Sequence, residues 1–230
     1  MYKGKKILAI VPARGGSKGI KLKNLTKVNN KSLIQITSEI LKKIKYIDKI
    51  ILSSDHKEII KEGIKNGLDI PFLRPKKISG DLIGDTPVIL HALEHFEKKN
   101  QKFDIILLIQ VTSPLRKIQH ITKCITKLIN SKLDSVFTVS KIDEKYHPLK
   151  QFLIKGAKIN YFDKQGKGII RRQELGKTYI RNGICYAFTT KCIKKQKDKI
   201  GKKSSYVVVN EDFINIDTSS DLEKLKKYKL

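Results

Sequence analysis

The sequence predicts an α/β fold built on a mostly parallel sheet, and three features carry that expectation. Short apolar runs alternate with stretches of helical period; a nearly continuous hydrophobic segment, DIILLIQV at 104–111, reads as a central strand covered on both faces; and the first apolar run empties into a loop of glycines and cations. In parallel α/β sheets, ligands sit at such strand ends. At 230 residues the chain is most simply one domain, 1–230.

The opening stretch is KILAIVPARGGSKGIKLKNL, residues 6–25. Ile7, Leu8, Ile10 and Val11 fill a buried strand, and Pro12 stops it. Gly15, Gly16 and Gly19 then free the backbone for close approach to a ligand, while Arg14, Lys18, Lys21 and Lys23 bring cationic donors to the same place. That combination suits a polyphosphate. The spacing matches neither the P-loop nor the dinucleotide fingerprint.

Ser32 with Gln35 three residues on predicts a capping box, followed by Leu33, Ile36, Ile40, Leu41 and Ile44 at helical spacing. A strand at 49–54, a helix at 56–66 stopped by Gly67, and a short third strand at 70–73 complete a β-α-β-α-β rhythm. Residues 74–85 read as a loop, with Thr86 as cap and Pro87 at the first position of a helix through about residue 99. A helix at 118–132 and a strand at 135–140 follow. From Lys141 the rhythm changes: extended segments at 151–162 and 179–188 flank a basic turn at 166–172 with no crossover helix, as expected of a protruding antiparallel element at 141–181. Residues 206–209 return to core-strand character, and Ser220 with Glu223 predicts the cap of a final helix.

Composition narrows the function classes. Hydrophobic residues make up 40%, and no apolar run approaches the roughly 18 residues of a membrane span. The basic, apolar start resembles a signal peptide only until Arg14 and two glycines arrive where cleavage should be, so a strand is expected there. Cys124, Cys185 and Cys192, odd in number and without C-x-x-C spacing, fit reduced thiols in a cytoplasmic protein. Forty-nine Lys plus Arg against 22 Asp plus Glu give a net charge of +27. The lysines are spread over the whole chain and the aromatic residues do not interleave with them, which favours a solvated basic surface over a nucleic-acid face. His91 and His95, four apart on one helix, lack a third metal ligand nearby and read as a solvated face.

The string PARGGSKGIKLKN at 12–24 resembles the opening motif of the cytidylyltransferases that activate sialic acids and related nine-carbon keto sugars. The resemblance continues in order through SSD at 53–55, FLRP at 72–75, Gln110 with TSPLR at 112–116, HPLK at 147–150, RRQ at 171–173, RNG at 181–183 and NIDT at 215–218. It implies a Rossmann-like three-layer α/β/α nucleotidyltransferase with a mostly parallel mixed sheet, acting as a homodimer through the protruding element at 141–181. It also implies that Arg14, Gly15, Gly16, Ser17, Lys18, Lys23 and Asn24 bind CTP, with Arg14, Lys18 and Lys23 on its phosphates, and that Arg74 assists. Gln110, Thr112 and Ser113 match positions that line the sugar-acid site, and Lys150, Arg172 and Arg181 offer cations to its carboxylate or to pyrophosphate.

The family often carries Asp-x-Asp where this chain has Asn215-Ile216-Asp217, so Mg²⁺ is expected on Asp217, with Asn215 offering a carbonyl oxygen or binding a coordinated water. The expected reaction is transfer of CMP from CTP to a keto sugar acid of the sialic, legionaminic or pseudaminic type. The alternatives are the eight-carbon sugar acid of lipopolysaccharide as substrate, or a basic nucleic-acid-binding protein.

Overall fold

The computed structural model describes residues 1–196 and 199–228; the side chain of Arg172 also lies outside the described residues. The main sheet has six strands: β1 (Ile7–Pro12), β4 (Lys49–Ser53), β5 (Ile105–Leu108), β6 (Ser135–Lys141), β9 (Tyr179–Thr189) and β10 (Ser204–Val208). Their order across the sheet is β10-β6-β9-β5-β1-β4. β9 runs antiparallel to both β5 and β6, and every other pairing is parallel. Two short hairpins stand apart, β2 (Lys27–Val28) with β3 (Lys31–Ser32), and β7 (Phe152–Lys155) with β8 (Lys158–Tyr161).

β1 shows why the domain has three layers. All five residues from Ile7 to Val11 are buried, and they alternate between two cores: Ile7, Ala9 and Val11 join one cluster, Leu8 and Ile10 the other. The period of two sends successive side chains to opposite faces, so a strand apolar throughout needs cover on both. α1 (Leu33–Lys42), α4 (Ile118–Asn130) and, through Ile59 and Leu225, α2 (Lys57–Lys65) and α5 (Ser219–Leu225) supply one face; α3 (Asp85–Glu97) supplies the other with Ile89, Leu93 and Phe96. β5 is interior to the sheet between β1 and β9, as its hydrophobicity predicts.

Several boundaries differ from the sequence expectation. Residues 70–73 form no strand; only Asp69 bridges to Ile51, and Pro71 removes a donor that a longer ladder would need. α3 begins at Asp85 after Gly84, so Pro87 is its third residue rather than its first. Ser32 Oγ accepts from Gln35 N, but the Gln35 side chain donates to Glu39 instead of returning to the cap. The last helix is capped by Thr218 and Asp221, whose carboxylate accepts from the Thr218 amide at 2.9 Å, not by Ser220 and Glu223. His91 and His95 are half-buried with their rings edge-on to Phe72, so an aromatic contact replaces the expected solvated face.

Candidate active site

The loop after β1 is folded against two other segments, and its glycines are where it touches them. A Cβ on Gly19 would lie 2.3 Å from the Asp217 carbonyl oxygen, and one on Gly15 would lie 2.8 Å from the His56 ring. Any side chain there would push the loop off the sheet's C-terminal edge. The Gly15 amide donates to Asp55 Oδ1 at 2.9 Å, and buried Asn24 returns along the loop to donate to the Arg14 carbonyl at 3.0 Å. Strand end, loop and Asp217 thus form one wall of a cavity of about 530 Å³.

The opposite wall comes from residues 74–88. Arg74 is buried, donating through Nε to Ser53 Oγ at 3.0 Å and through Nη2 to the Ser53 carbonyl. Burial pushes its guanidinium down to about 10, with Asp55 acting in the opposite direction, so it stays cationic at neutral pH behind the cavity. Gly80, Asp81, Ile83 and Gly84 cross the cavity, and the N-terminal end of α3 faces it. Arg14 reaches over to this wall, its Nη1 donating to the Gly80 carbonyl at 2.7 Å and its Nη2 pairing with Asp81 at 2.9 Å; Lys18 pairs with the other Asp81 oxygen at 2.9 Å. These cations hold the Asp81 carboxyl below its usual range, the Lys18 hydrogen bond most of all.

The floor is the end of β5. Gln110, Val111 and Thr112 line the cavity, and Ser113 lies just behind, its hydroxyl within reach of the Asn182 carbonyl at 3.0 Å and of Asn215 Oδ1 at 2.7 Å. Gly183 adopts φ +69°, and a Cβ there would meet Gln110 Oε1 at 2.5 Å and Ser113 Oγ at 2.6 Å, so only glycine lets the bulge of β9 close on this strand end. Beneath it, Arg116 donates through Nε to the Ile184 carbonyl at 2.7 Å and through Nη2 to the Gln110 carbonyl. It is 3% exposed, and burial pushes it down to about 10.

Asp217 closes the acidic side, pairing with Lys23 at 2.8 Å while its side chain is 73% exposed. Magnesium takes oxygen ligands and keeps several waters. Among the described residues no group of three or more His, Cys, Asp or Glu could hold a metal. One carboxylate at the cavity edge fits a cation held chiefly by a ligand's phosphates, not an all-protein cage. The Asn215 oxygen is already engaged by Ser113.

Among the residues expected from sequence, Arg14, Ser17, Lys18, Lys23, Asn24, Arg74, Gln110, Thr112 and Asp217 line this cavity together, and Ser113 and Asn215 bond to each other behind its floor. Gly15 shapes the loop by its contact with His56, and Gly16 has open space around it. Lys150 and Arg181 are exposed and outside the lining, although Arg181 adjoins buried Asn182. Asp81 and Arg116 are the functional candidates that sequence reasoning missed. Arg116 ends the TSPLR string, and Asp81 lies in a segment without periodicity.

Comparison with known proteins agrees with this geometry. A family model described as cytidylyltransferase matches residues 8–229. The chain is 31% identical over 224 residues to a pseudaminic acid cytidylyltransferase of Campylobacter jejuni, covering 96% of this chain and 95% of that one. It is 30% identical over 232 residues to a CMP-N,N'-diacetyllegionaminic acid synthase of Legionella pneumophila, covering 94% and 93%. Among solved structures it is similar to a CMP:2-keto-3-deoxy-manno-octonic acid synthetase complexed with CTP, with a TM-score of 0.71, 14% identity and coverage of 96% and 97%, a likeness of fold. With a match that runs almost end to end and relatives similar over their full lengths, the chain belongs to the cytidylyltransferase family.

Proposed function

We propose that this cytidylyltransferase moves CMP from CTP to the anomeric hydroxyl of a nine-carbon keto sugar acid of the sialic, legionaminic or pseudaminic type. The carrying observation is the cavity that gathers Arg14, Lys18, Lys23, Arg74 and Asp217 opposite Gln110 and Thr112. The names of the two relatives support a nine-carbon acceptor over the eight-carbon alternative.

Arg14, Lys18 and Lys23 would neutralise the triphosphate, Arg74 would add a fixed positive charge from behind, and Gln110 with Thr112 would orient the acceptor, with Ser113 and Arg116 holding that strand end in place. The hydroxyl oxygen attacks the α-phosphorus in line, losing its proton as the bond forms, and the bond to the β-phosphate bridging oxygen breaks to release pyrophosphate. Catalysis in such transfers is mostly positioning and charge neutralisation. Mg²⁺, when bound, would neutralise phosphate oxygens; Asp217 is the side chain that would hold it, and Asn215, whose oxygen has a second lone pair beside its Ser113 bond, would accept from a coordinated water.

The arm supports a homodimer. Phe152, Leu153, Ile154, Ile159 and Phe162 are all exposed on or beside a two-stranded sheet, a structure only marginally stable alone. A second copy seated there would cover them. The three cysteines are buried and no disulfide joins them, and among the described residues no helix is long and apolar enough to cross a membrane, which supports a cytoplasmic location.

Incubation with CTP, Mg²⁺ and a panel of pseudaminic, legionaminic, N-acetylneuraminic and eight-carbon acids, following pyrophosphate, tests the reading. Release only with a nine-carbon acid is expected. Release with the eight-carbon acid alone, or silence together with steeply salt-dependent retention of nucleic acid, would replace it.

A further inference from the structure

The three cations expected to hold the triphosphate all have carboxylate partners within this cavity. Lys23 is paired with Asp217, whereas Arg14 and Lys18 converge on one residue, Asp81, each at 2.9 Å. Arg14 makes a two-pronged contact, gripping the Gly80 carbonyl as well as the Asp81 carboxylate. Arg14 and Lys18 keep further N–H donors beyond these contacts, so what Asp81 takes from a bound anion is part of their charge and the orientation of their donors, not every hydrogen bond.

We propose that Asp81 is an internal counter-ion of the reaction cycle, which competes with polyphosphate for Arg14 and Lys18 and reclaims both cations as pyrophosphate leaves. This rests on the reading of the cavity as the CTP site. The segment is built for displacement. Leu82, next to Asp81, is fully exposed and anchors nothing, and beyond its chain neighbours no atom lies within 4 Å of where a Cβ on Gly84 would sit. The far end is tied down, since Asp85 pairs with Lys199 at 2.7 Å. Residues 80–84 can therefore move away from the phosphate loop without unpacking α3.

The chemistry gives this carboxylate a purpose. A pocket with several cations and no internal anion would bind its pyrophosphate product tightly, because pyrophosphate keeps most of the charge of the triphosphate. A carboxylate that competes for the same two cations weakens every ligand that uses them, and so speeds departure of the product. Asp81 should be the weaker competitor, with its single charge against the several of a polyphosphate, so it raises the CTP concentration needed to fill the site without slowing catalysis at high CTP.

The test measures binding of inorganic tripolyphosphate and pyrophosphate, which carry no base or sugar, to the full chain by calorimetry. Asp81→Asn and Asp81→Ala should each tighten both ligands by roughly three- to tenfold, the scale of two exposed ion pairs. Asp69→Asn is the control, because it removes one negative charge at a pair with Lys49 outside this cavity and should shift affinity far less. Pyrophosphate should also become a stronger product inhibitor of the Asp81 variants. If the wild-type chain binds tripolyphosphate and the Asp81 variants bind it equally or more weakly, the counter-ion role is overturned while the phosphate site stands. If the wild-type chain binds neither tripolyphosphate nor CTP, the site itself is wrong and the inference falls with it.

Discussion

Arg116 and Ile154 reverse the usual placement of their residue types: the arginine is 3% exposed and the isoleucine 78% exposed. Around the cavity, charged and polar groups are drawn inward, and Arg74, Arg116, Ser113 and Asn182 are all buried with hydrogen-bond partners. Along the arm, apolar side chains on both strands of the β7–β8 hairpin face outward. Buried charge is tolerated when its donors are satisfied, and displayed apolar surface is tolerated when something covers it. The two regions thus display opposite surfaces, a cation-lined cavity in one and uncovered apolar side chains in the other, and the proposed occupants are an anionic ligand and a second copy. Substitutions in one should leave the signature of the other untouched.

The largest effect should come from Asp217, the carboxylate at the cavity edge. Asp217→Ala is expected to lower kcat/KM by at least about a hundredfold, the scale of losing a metal-holding or charge-stabilising group. Its thermal midpoint should barely move, because the side chain is largely exposed. Wild-type rates at limiting magnesium would sink the assignment.

Arg116 separates positioning from mere cavity lining. Arg116→Met leaves the Gln110 and Ile184 carbonyls without this donor and should lower stability by about 3 kcal/mol, read by denaturant unfolding. Among molecules that remain folded, KM for the sugar acid should rise more than KM for CTP, since Arg116 backs Gln110 and not the phosphate loop. Equal changes in both constants would reduce Arg116 to a structural role.

For the arm, Ile154→Asp should shift the chain from dimer to monomer in sedimentation at micromolar concentration, with tripolyphosphate affinity unchanged. A wild-type chain that already sediments as a monomer would remove the proposed occupant of that surface.

Much of this architecture was legible because period and composition record burial. The five buried residues of β1 and the hydrophobic run ending at Val111 declare strands covered on both faces, and Gly15 and Gly19 of the opening loop mark close approaches that the structure places at His56 and Asp217, while Gly16 meets nothing. The strand expected at 70–73 failed because an apolar run such as IPFL looks the same whether it pairs or merely packs; Phe72 packs on the two histidines. Asp81 was illegible for a different reason. Its meaning lies in pairs with Arg14 and Lys18, more than sixty positions earlier, and nothing local distinguishes it from any loop aspartate. Arg116 was visible as part of a string, but its inward direction was not, since an arginine after a turn is usually solvated.

The smallest expected effect concerns those histidines. Burial lowers the pKa of His91, with Glu94 opposing and His95, Arg74 and Lys77 adding to the decrease; burial also lowers that of His95, assisted by Lys99 and Lys98. The neutral form is thus favoured in the folded chain, and the unfolded chain binds more protons at a given mildly acidic pH. Stability should therefore be complete above the ordinary histidine pKa of about 6.5 and should decline as pH falls from there toward the lower folded values. His120 contributes in the same direction, burial again leading and Glu211 opposing. The thermal midpoint should drop by a few degrees between neutral pH and the onset of carboxylate titration, and His91→Gln with His95→Gln should flatten that slope. Because the two histidine rings of α3 sit against Phe72 and line neither the cavity nor the arm, the flattened variant should keep both the wild-type tripolyphosphate affinity and the wild-type assembly state. A slope that persists in the double variant would assign the acid sensitivity to other groups.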